Sequence, residues 1–504
     1  MDSELLKTEI IEKIKNLMKN ERIQPEPEFE CFFKYLAIAQ SDTEFINNEK
    51  IFELVKSHGI HLLNDVKYWL DISLEENFNK DCLQSVPVLD PKHFIINDYN
   101  DFIEKLKELP SEWTVIQITK KFTKFDIASK NNSKIVPGMH ITKFYCGKNA
   151  ERREYFSMGR TSRKLYDAYN NTNSELSSHY MDLIFQVVLS ASFLKCKDIY
   201  AILRLALYPN ENESVNTSQL MLLVENIKVL NLRKENAIKK ALYKPVILIL
   251  DNEFENIPWE MLTPLVFQPV CRISSFHLLY ALYKYHQPHI KNGYRLAEMD
   301  SVYSLINPGK DLESCEKQMK EFLKKRLPWA DKEIGIVPDP KELVTKIKNY
   351  SLYLYCGHGS GTQYLKTKDL KKTYVKGLVL LFGCSSNMPR NGGGKTPHQN
   401  STYTYLTNGC PLTIGCIQDV GSTDADAACE YMLSEFMPSV TITESSQAVV
   451  TDPKEPNVLL ALSKAKSKCT KYWSKSSFVA RGIPCKTIIG NKSKIFSETE
   501  LFTN

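Results

Sequence analysis

Two short apolar runs of the sequence each end in small residues and a side chain capable of catalysis. The run LYLYCGHGSG places His358 after its strand-like stretch, and LVLLFGCSSN places Cys384 in the same position 26 residues later. A cysteine thiolate attacks acyl carbons, and a nearby imidazole both favours the thiolate and protonates a leaving amine. The pair predicts nucleophilic cysteine catalysis, which needs no metal and no cofactor.

Glycines beside the two candidates fit the same chemistry. Gly357 and Gly359 let the backbone pass close to a substrate, and Gly383 gives Cys384 a tight exit from its strand. The amides of Gly359 and Cys384 are predicted to form an oxyanion hole. The serines that supply small polar support beside the cysteine are Ser385 and Ser386.

Acidic residues follow the next apolar strand, in IGCIQDVGSTDADAACEYML. Asp419, Asp424 and Asp426 are candidates for holding a basic substrate residue through charge-assisted hydrogen bonds. The stretch from Ser422 to Asp424 is also typical of a helix N-cap, and acids in a first helical turn are favoured by the helix dipole. Asp419 precedes that turn and is the preferred pocket residue.

Each candidate has a structural alternative. A single His-Gly after a strand is often a capping or core residue, so spacing alone favours a structural role for His358 over a catalytic one. Cys356 competes with Cys384 as the nucleophile, but it ends an apolar run and is predicted to be a buried strand residue. The sequence spacing leaves both alternatives open.

The elements that position these residues are strands of a parallel sheet. From Asp300 onwards, the short apolar stretches SVYSLIN, LYLYC, LVLLFG and PLTIGC are separated by helical stretches such as LESCEKQMKEFLKK. This alternation predicts a parallel sheet with crossover helices, whose working residues gather at the carboxyl ends of the strands. His358 and Cys384 lie just past two such ends.

The chain divides into three predicted units. Residues 1–108 have helical periodicity, residues 109–298 form an α/β unit that includes the strand KPVILIL, and residues 299–504 form the parallel-sheet unit. A helix is predicted over Ser177–Leu194 in the second unit. The expected fold class is therefore α/β, preceded by a short helical region.

Composition limits the expected cellular location and the expected classes of partner. The net charge of +6 arises from 65 basic and 59 acidic residues spread along the chain, which does not indicate a nucleic-acid partner. The 13 cysteines form neither zinc-site nor disulfide spacing. We recognise no signal peptide and no membrane-spanning run, so we expect no direct membrane contact and a location in the cytoplasm and nucleus.

Taken together, the motifs resemble the separase family of caspase-like cysteine endopeptidases, which cleave cohesin at anaphase. LYLYCGHGSGTQYL is similar to the family's histidine motif, GLVLLFGCSSN to its cysteine motif, and SSFVARGIPCKTI to its C-terminal end. PVILILDNEFENIPWEMLTPLVFQPVCRISSF resembles its Pro-Trp-Glu segment. The resemblance covers about Leu109 to Ile488, with the motifs in the family's order.

The resemblance implies roles for the candidates. His358 is the general acid or base, Cys384 is the nucleophile, and Asp419 holds the arginine after which the family cleaves. The implied fold is a caspase-like protease domain (299–504) preceded by an inactive caspase-like domain (109–298). The implied partners are the kleisin subunit of cohesin as substrate and a securin-like inhibitor.

Two departures from the family pattern shape these expectations. Gln418 stands where the family usually has Trp, before the residue that aligns with Asp419. The helical region of about 110 residues is much shorter than that of most members, so either this is a minimal version or a separate helical regulatory subunit supplies the rest. Two other functions remain open: a caspase-like peptidase with another substrate, and a non-catalytic binding scaffold.

Overall fold

The computed structural model describes a minor part of the N-terminal half of the chain and most of the C-terminal half. The described residues are 48–58, 88, 96–121, 138–150, 153–157, 196–207, 216–238, 244–251, 254–262, 265–371, 373–388, 401–442 and 448–490. They form helices on a large, mostly parallel sheet, as the sequence predicted. None of the helices in this part of the chain is both long and apolar enough to span a membrane.

Eleven strands form one continuous sheet, in the order β3-β2-β1-β4-β5-β15-β12-β11-β10-β8-β9. A three-stranded sheet, β16-β7-β6, and a β13-β14 hairpin complete the strands. The strands are β1 (Thr114–Lys121), β2 (Gly138–Tyr145), β3 (Arg153–Ser157), β4 (Val246–Leu250), β5 (Val270–Ile273), β6 (Ile290–Lys291), β7 (Tyr294–Glu298), β8 (Val302–Ile306), β9 (Asp331–Ile334), β10 (Leu352–Cys356), β11 (Leu378–Phe382), β12 (Leu412–Cys416), β13 (Ser439–Ile442), β14 (Ala448–Thr451), β15 (Phe478–Gly482) and β16 (Cys485–Ile488).

The helices lie mostly in the connections between strands. They are α1 (Asn48–Lys56), α2 (Tyr99–Glu108), α3 (Cys196–Leu207), α4 (Thr217–Ile238), α5 (Phe276–His286), α6 (Glu313–Arg326), α7 (Pro340–Asn349), α8 (Thr367–Leu370), α9 (Ser401–Thr407), α10 (Ser422–Phe436), α11 (Val458–Lys466) and α12 (Tyr472–Ser477). Of the predicted helical region over residues 1–108, the described part contains α1 and α2, and the helix predicted over Ser177–Leu194 lies outside the described residues.

Alternating side chains cover both faces of the sheet. In β10, Leu352, Leu354 and Cys356 belong to one hydrophobic cluster, whereas Tyr353 and Tyr355 belong to another. All five residues of this strand are buried. Burial on both faces explains why the strand is a continuous apolar run rather than an alternating one, as is typical of parallel strands.

The large sheet has two parts, which meet at one pair of strands. The N-terminal half-sheet is β3-β2-β1-β4-β5, and the C-terminal half-sheet is β15-β12-β11-β10-β8-β9. They join through parallel pairing of β5 with β15, where Arg272 stands opposite Arg481. The predicted division into an inactive domain (109–298) and a protease domain (299–504) stays a prediction, but its two parts share this sheet.

Helix α10 begins differently from the prediction. Its N-cap residue is Gly421, which has no side chain to form a cap, and Ser422 is the first helical residue. The buried carboxylate of Asp424 turns away from the cap and accepts hydrogen bonds from Thr470 and Lys471. The predicted cap over 422–424 is therefore the first turn of the helix, stabilised by contacts with a distant loop.

Candidate active site

Three neighbouring strands of the C-terminal half-sheet end at the same level. Cys356 at the end of β10 stands in register with Ile306 at the end of β8 and with Phe382 at the end of β11. The loops that follow leave the same edge of the sheet: the β8 loop (307–312), the β10 loop (357–363) and the β11 loop (383–388). Parallel pairing thus places His358 and Cys384 on adjacent loops, as the sequence predicted.

His358 lies exposed on the β10 loop, whose backbone is held by hydrogen bonds from two side chains. Its carbonyl accepts a hydrogen bond from the Tyr355 hydroxyl at 2.7 Å and another from the Gln363 amide at 3.1 Å. The imidazole itself is 59% exposed. A fixed backbone with an accessible ring suits a group that exchanges protons with a bound substrate.

Asp311 holds the imidazole from the neighbouring β8 loop. The distance from His358 Nε2 to Asp311 Oδ2 is 2.9 Å. Because a carboxylate only accepts hydrogen bonds, this contact assigns the proton to Nε2 and leaves the Nδ1 lone pair for chemistry. Asp311 is a site residue that the sequence analysis missed.

The β8 loop is shaped to present Asp311. Asn307 Oδ1 accepts hydrogen bonds from the Asp311 and Leu312 amides at 3.2 and 3.1 Å, which closes an Asx turn. Asn307 adopts a φ of 47° and Lys310 a φ of 61°. Asn307 tolerates this left-handed backbone region better than most residues, because its side chain makes local hydrogen bonds there.

Cys384 is partly exposed on the β11 loop, directly beside the β10 loop. Its thiol donates a hydrogen bond to the Val420 carbonyl at 3.2 Å. A methyl group built on the preceding Gly383 would lie 2.1 Å from Gly359 O and 2.5 Å from Gly357 O. Only glycine permits this approach, so Gly383 brings the β10 and β11 loops together.

The backbone around the cysteine presents donors without acceptors. Gly359 has a φ of 61°, and a methyl group on it would have no atom within 4 Å. Within the described residues, neither the Gly359 amide nor the Cys384 amide donates a hydrogen bond to a backbone carbonyl. Two amides on adjacent loops that donate to no backbone carbonyl are what an oxyanion hole requires.

The two serines after Cys384 have different contacts. Ser385 adopts a φ of 51°, and its hydroxyl donates to Asp419 Oδ1 at 2.8 Å. Ser386 is buried, donates to the Leu381 carbonyl at 2.7 Å and accepts from the Cys416 amide at 3.0 Å. Ser386 therefore fixes the β11 loop to the sheet, whereas Ser385 orients an acid beside the cysteine.

The three candidate pocket acids have separate environments. Asp419 is exposed and lies next to the Cys384 loop through Ser385. Burial raises the pKa of Asp424, but the nearby Ser474 hydroxyl and the hydrogen bonds from Thr470 and Lys471 outweigh it and hold that pKa below its usual value. These contacts occupy the Asp424 carboxylate within the protein.

Asp426 is buried on the inner side of α10. Burial raises its pKa, and a contact with Cys315 only partly offsets this. The Asp426 side chain thus faces a group of buried thiols rather than open space. Its contacts, like those of Asp424, favour a structural role, and Asp419 is the one acid of the three that is exposed.

Among the eleven described cysteines, nine are buried, Cys384 is partly exposed and Cys196 is exposed. The pKa of the Cys356 thiol lies well above its usual value. Contact with Cys315 lowers this pKa, but contact with Cys429 and burial raise it by more. A buried thiol kept protonated is a poor nucleophile. Cys356 is a strand residue, and Cys384 is the accessible thiol at the sheet edge.

The described residues contain no group of histidine, cysteine and acidic side chains that is arranged to hold a metal ion. A thiol, an imidazole with an acid partner, two amides without backbone acceptors and an exposed carboxylate are groups that can together cleave an acyl bond next to a basic residue.

Comparison with known proteins places this site in a family. Residues 150–427 match the family described as "Separin, protease domain". Among curated proteins, the chain is 27% identical over 248 residues to Separin of Saccharomyces cerevisiae, 28% identical over 194 residues to Separin of Mus musculus, and 26% identical over 278 residues to Separin of Schizosaccharomyces pombe. These alignments cover 48%, 38% and 55% of this chain.

The same alignments cover only 14%, 9% and 14% of those proteins, so the chain spans a small part of the curated relatives it matches. Among solved structures, the chain is similar to a Saccharomyces cerevisiae separase-securin complex solved at 2.6 Å, with a TM-score of 0.56 and 17% sequence identity. That similarity covers 96% of this chain and 38% of the other chain. At this sequence identity, the structural similarity shows a shared fold.

Proposed function

Because the chain belongs to the family of separin protease domains, we propose that it is a cysteine endopeptidase that cleaves after arginine. The family membership confirms the resemblance to separases found in the sequence and the caspase-like α/β fold class that it implied. The catalytic type, the arginine preference and the substrate are parts of the proposal.

One observation carries the proposal: the contact between the two catalytic loops. Gly383 packs against the backbone oxygens on both sides of His358, so Cys384 and His358 emerge from the sheet next to each other. Two amides that donate to no backbone carbonyl of the described residues lie on the same loops. A binding scaffold has no need of an accessible thiol, a held imidazole and open amide donors at one point.

The proposed reaction begins with the Cys384 thiolate attacking the carbonyl carbon of the scissile peptide bond. The Gly359 and Cys384 amides donate hydrogen bonds to the resulting oxyanion. The imidazolium of His358 protonates the departing amine, which leaves a thioester on Cys384. A water molecule, deprotonated by His358, hydrolyses the thioester and restores the thiol. Asp311 keeps the ring oriented through both steps.

The proposed arginine pocket centres on Asp419. Its carboxylate is exposed beside the nucleophile and is oriented by the Ser385 hydroxyl. A guanidinium next to a carboxylate forms paired, charge-assisted hydrogen bonds. Asp424 and Asp426 are also candidates from the sequence, but the internal contacts of those carboxylates support structural roles, so the pocket is proposed on Asp419.

The proposed biological substrate is the kleisin subunit of cohesin, cleaved to release sister chromatids at anaphase. The solved relative is a complex with securin, which supports a securin-like inhibitor for this chain. A separate helical regulatory subunit, expected from the sequence, is a further proposed partner. The proposed location is the cytoplasm and nucleus.

The test is hydrolysis of a peptide series that differs only in the residue before the scissile bond: arginine, lysine, glutamine or aspartate. We expect cleavage after arginine, a loss of about 1,000-fold or more in kcat/KM for Cys384→Ser and for His358→Ala, and unchanged activity for Cys196→Ser. Cys196 is the matched control because it is the other accessible thiol of the described chain.

The pocket is tested by Asp419→Asn, which keeps the shape and removes the charge. We expect its kcat/KM to fall by about 10- to 100-fold for the arginine peptide and far less for the glutamine peptide. Cleavage that survives Cys384→Ser would overturn the nucleophile. The absence of cleavage by the wild type, alone and with candidate helical subunits, would favour the binding scaffold.

A further inference from the structure

Two arginines are completely buried where the two half-sheets join. Arg272 on β5 and Arg481 on β15 stand opposite each other in the parallel pairing of these strands, and each has 0% exposed surface. A buried guanidinium is costly unless other groups compensate its charge and all its donors. Their partners therefore determine how this junction holds together.

Arg272 is compensated within the N-terminal half of the chain. Its Nε and Nη2 donate to the two carboxylate oxygens of Glu260 at 2.7 and 2.6 Å. Nη2 also donates to the Ile257 carbonyl at 2.7 Å, and Nη1 donates to the Glu255 carbonyl. Glu260 thus forms a bidentate pair with Arg272, and every nitrogen of the Arg272 guanidinium donates a hydrogen bond. These contacts compensate for the burial of both charges.

Arg481 is compensated across the junction. Its Nη1 lies 2.7 Å from Glu255 Oε2, and because this contact lacks hydrogen-bond alignment it is an ion pair. The Tyr403 hydroxyl accepts from the same Nη1 at 2.9 Å and donates to Glu255 Oε1 at 3.0 Å. Burial lowers the pKa of Arg481, but the Glu255 charge raises it above its usual value. The C-terminal arginine thus depends on an acid from the N-terminal half.

The other side of Arg481 holds the loop that carries the nucleophile. Its Nε donates to Asn387 Oδ1 at 2.5 Å and its Nη2 to the Asn387 carbonyl at 3.3 Å. Asn387 lies three residues after Cys384 and is fully buried, with its amide donating to the Cys416 carbonyl at 2.8 Å. A chain of contacts therefore runs from Glu255 through Arg481 to the Cys384 loop.

We propose that Glu255 and Arg481 are positioning residues for the nucleophile: the N-terminal half supplies the counter-charge that holds Arg481, and Arg481 holds the Cys384 loop through Asn387. This role rests on the proposed peptidase function for its catalytic consequence, but the positioning itself does not. The N-terminal half, which contributes no residue to the catalytic loops, thereby acts on the geometry of catalysis.

The experiment compares Glu255→Gln with Glu260→Gln in the full chain. Both replace a buried glutamate that faces Arg272, at 3.8 Å for Glu255 and 2.6 Å for Glu260, but only Glu255 also forms an ion pair with Arg481. Hydrogen–deuterium exchange of the peptide covering residues 383–388 is the first readout, because it needs no substrate. We expect exchange there to be about fivefold faster or more in Glu255→Gln and close to wild type in Glu260→Gln.

Peptide hydrolysis is the second readout. A misplaced nucleophile lowers kcat, whereas substrate binding at Asp419 is kept, so we expect kcat to fall by about tenfold in Glu255→Gln with KM within about twofold of wild type. If the wild type shows no hydrolysis, the proposed function fails, and the exchange result still decides the positioning role.

A second pair of variants covers the case in which Glu255→Gln does not fold. Tyr403→Phe removes only the hydroxyl that joins Glu255 to Arg481, and Tyr405→Phe removes a hydroxyl from the same helix α9, in the other hydrophobic cluster. We expect exchange over residues 383–388 to be faster than in the wild type for Tyr403→Phe and unchanged for Tyr405→Phe. Unchanged exchange and unchanged kcat in both Glu255→Gln and Tyr403→Phe would overturn the proposal.

Discussion

Removal of the Asp311 side chain should slow catalysis by a small and calculable factor. Asp311→Ala deletes the acceptor that holds His358 Nε2 at 2.9 Å and keeps the backbone amide that closes the turn on Asn307. The His358 and Asp311 side chains are 59% and 57% exposed, so their contact belongs with surface ion pairs, worth about 0.2–1 kcal/mol. That range corresponds to a loss of about 1.4- to 5-fold in kcat/KM.

The assay is steady-state hydrolysis of the arginine peptide, with kcat and KM determined separately. The loss should appear in kcat, because Asp311 is proposed to orient the imidazole and not to bind substrate. Asp311→Asn should lose less than Asp311→Ala, since its amide oxygen can still accept from Nε2–H. Asp331→Ala, which removes a part-exposed acid paired with Lys346 at the sheet edge, is the matched control. A loss of about 100-fold, or none at all in Asp311→Ala, would refute the reasoning.

Three further predictions concern the surroundings of the site. Gly383→Ala should lower kcat/KM by about 100-fold or more, because the added methyl group meets backbone oxygens of the His358 loop; Gly421→Ala, where the methyl meets no atom within 4 Å, should be silent in the same assay. Asp424→Asn should destabilise the fold by about 1–3 kcal/mol in urea unfolding, because its carboxylate accepts three hydrogen bonds, but should keep arginine selectivity; lost selectivity would make it a pocket residue. Burial lowers the pKa of Lys466 to about 8 in the folded chain, so above that pH the unfolded chain binds more protons than the folded chain. The free energy of unfolding of the wild type, measured relative to Lys466→Met, should therefore rise by about 1 kcal/mol from pH 7 to pH 9. A fall over this range would contradict the predicted sign.

The positions of His358 and Cys384 at strand ends were predictable because the signal was local. Each run, LYLYC and LVLLF, is buried on both faces and stops at a glycine, so parallel pairing follows from the apolar pattern and fixes where His358 and Cys384 emerge. The same reasoning applied to SVYSLIN would have led to Asp311, which follows β8 on the neighbouring loop. It was missed because an acid in an Asn- and Gly-containing turn is also typical of ordinary loops.

The junction of the half-sheets was not predictable, because it depends on contacts between distant parts of the chain. Pairing of β5 with β15 brings Arg272 opposite Arg481, and no local periodicity records that pairing. A signal was nevertheless present: each arginine interrupts an apolar strand, in VCRI and FVARG. A charged residue inside a buried strand requires a partner, and only the folded chain shows that the partner of Arg481 is Glu255.

Active-site labelling tests the central claim most directly. An arginine-ended peptide acyloxymethyl ketone, which reacts with a correctly placed thiolate, would be incubated with the wild type, Cys384→Ser, His358→Ala and Cys196→Ser, and the adduct mapped by mass spectrometry. We predict one adduct, on Cys384, in the wild type and in Cys196→Ser, with no labelling of Cys384→Ser and strongly reduced labelling of His358→Ala. An adduct on another cysteine, or equal labelling of Cys384→Ser, would contradict the assignment of Cys384 as the nucleophile.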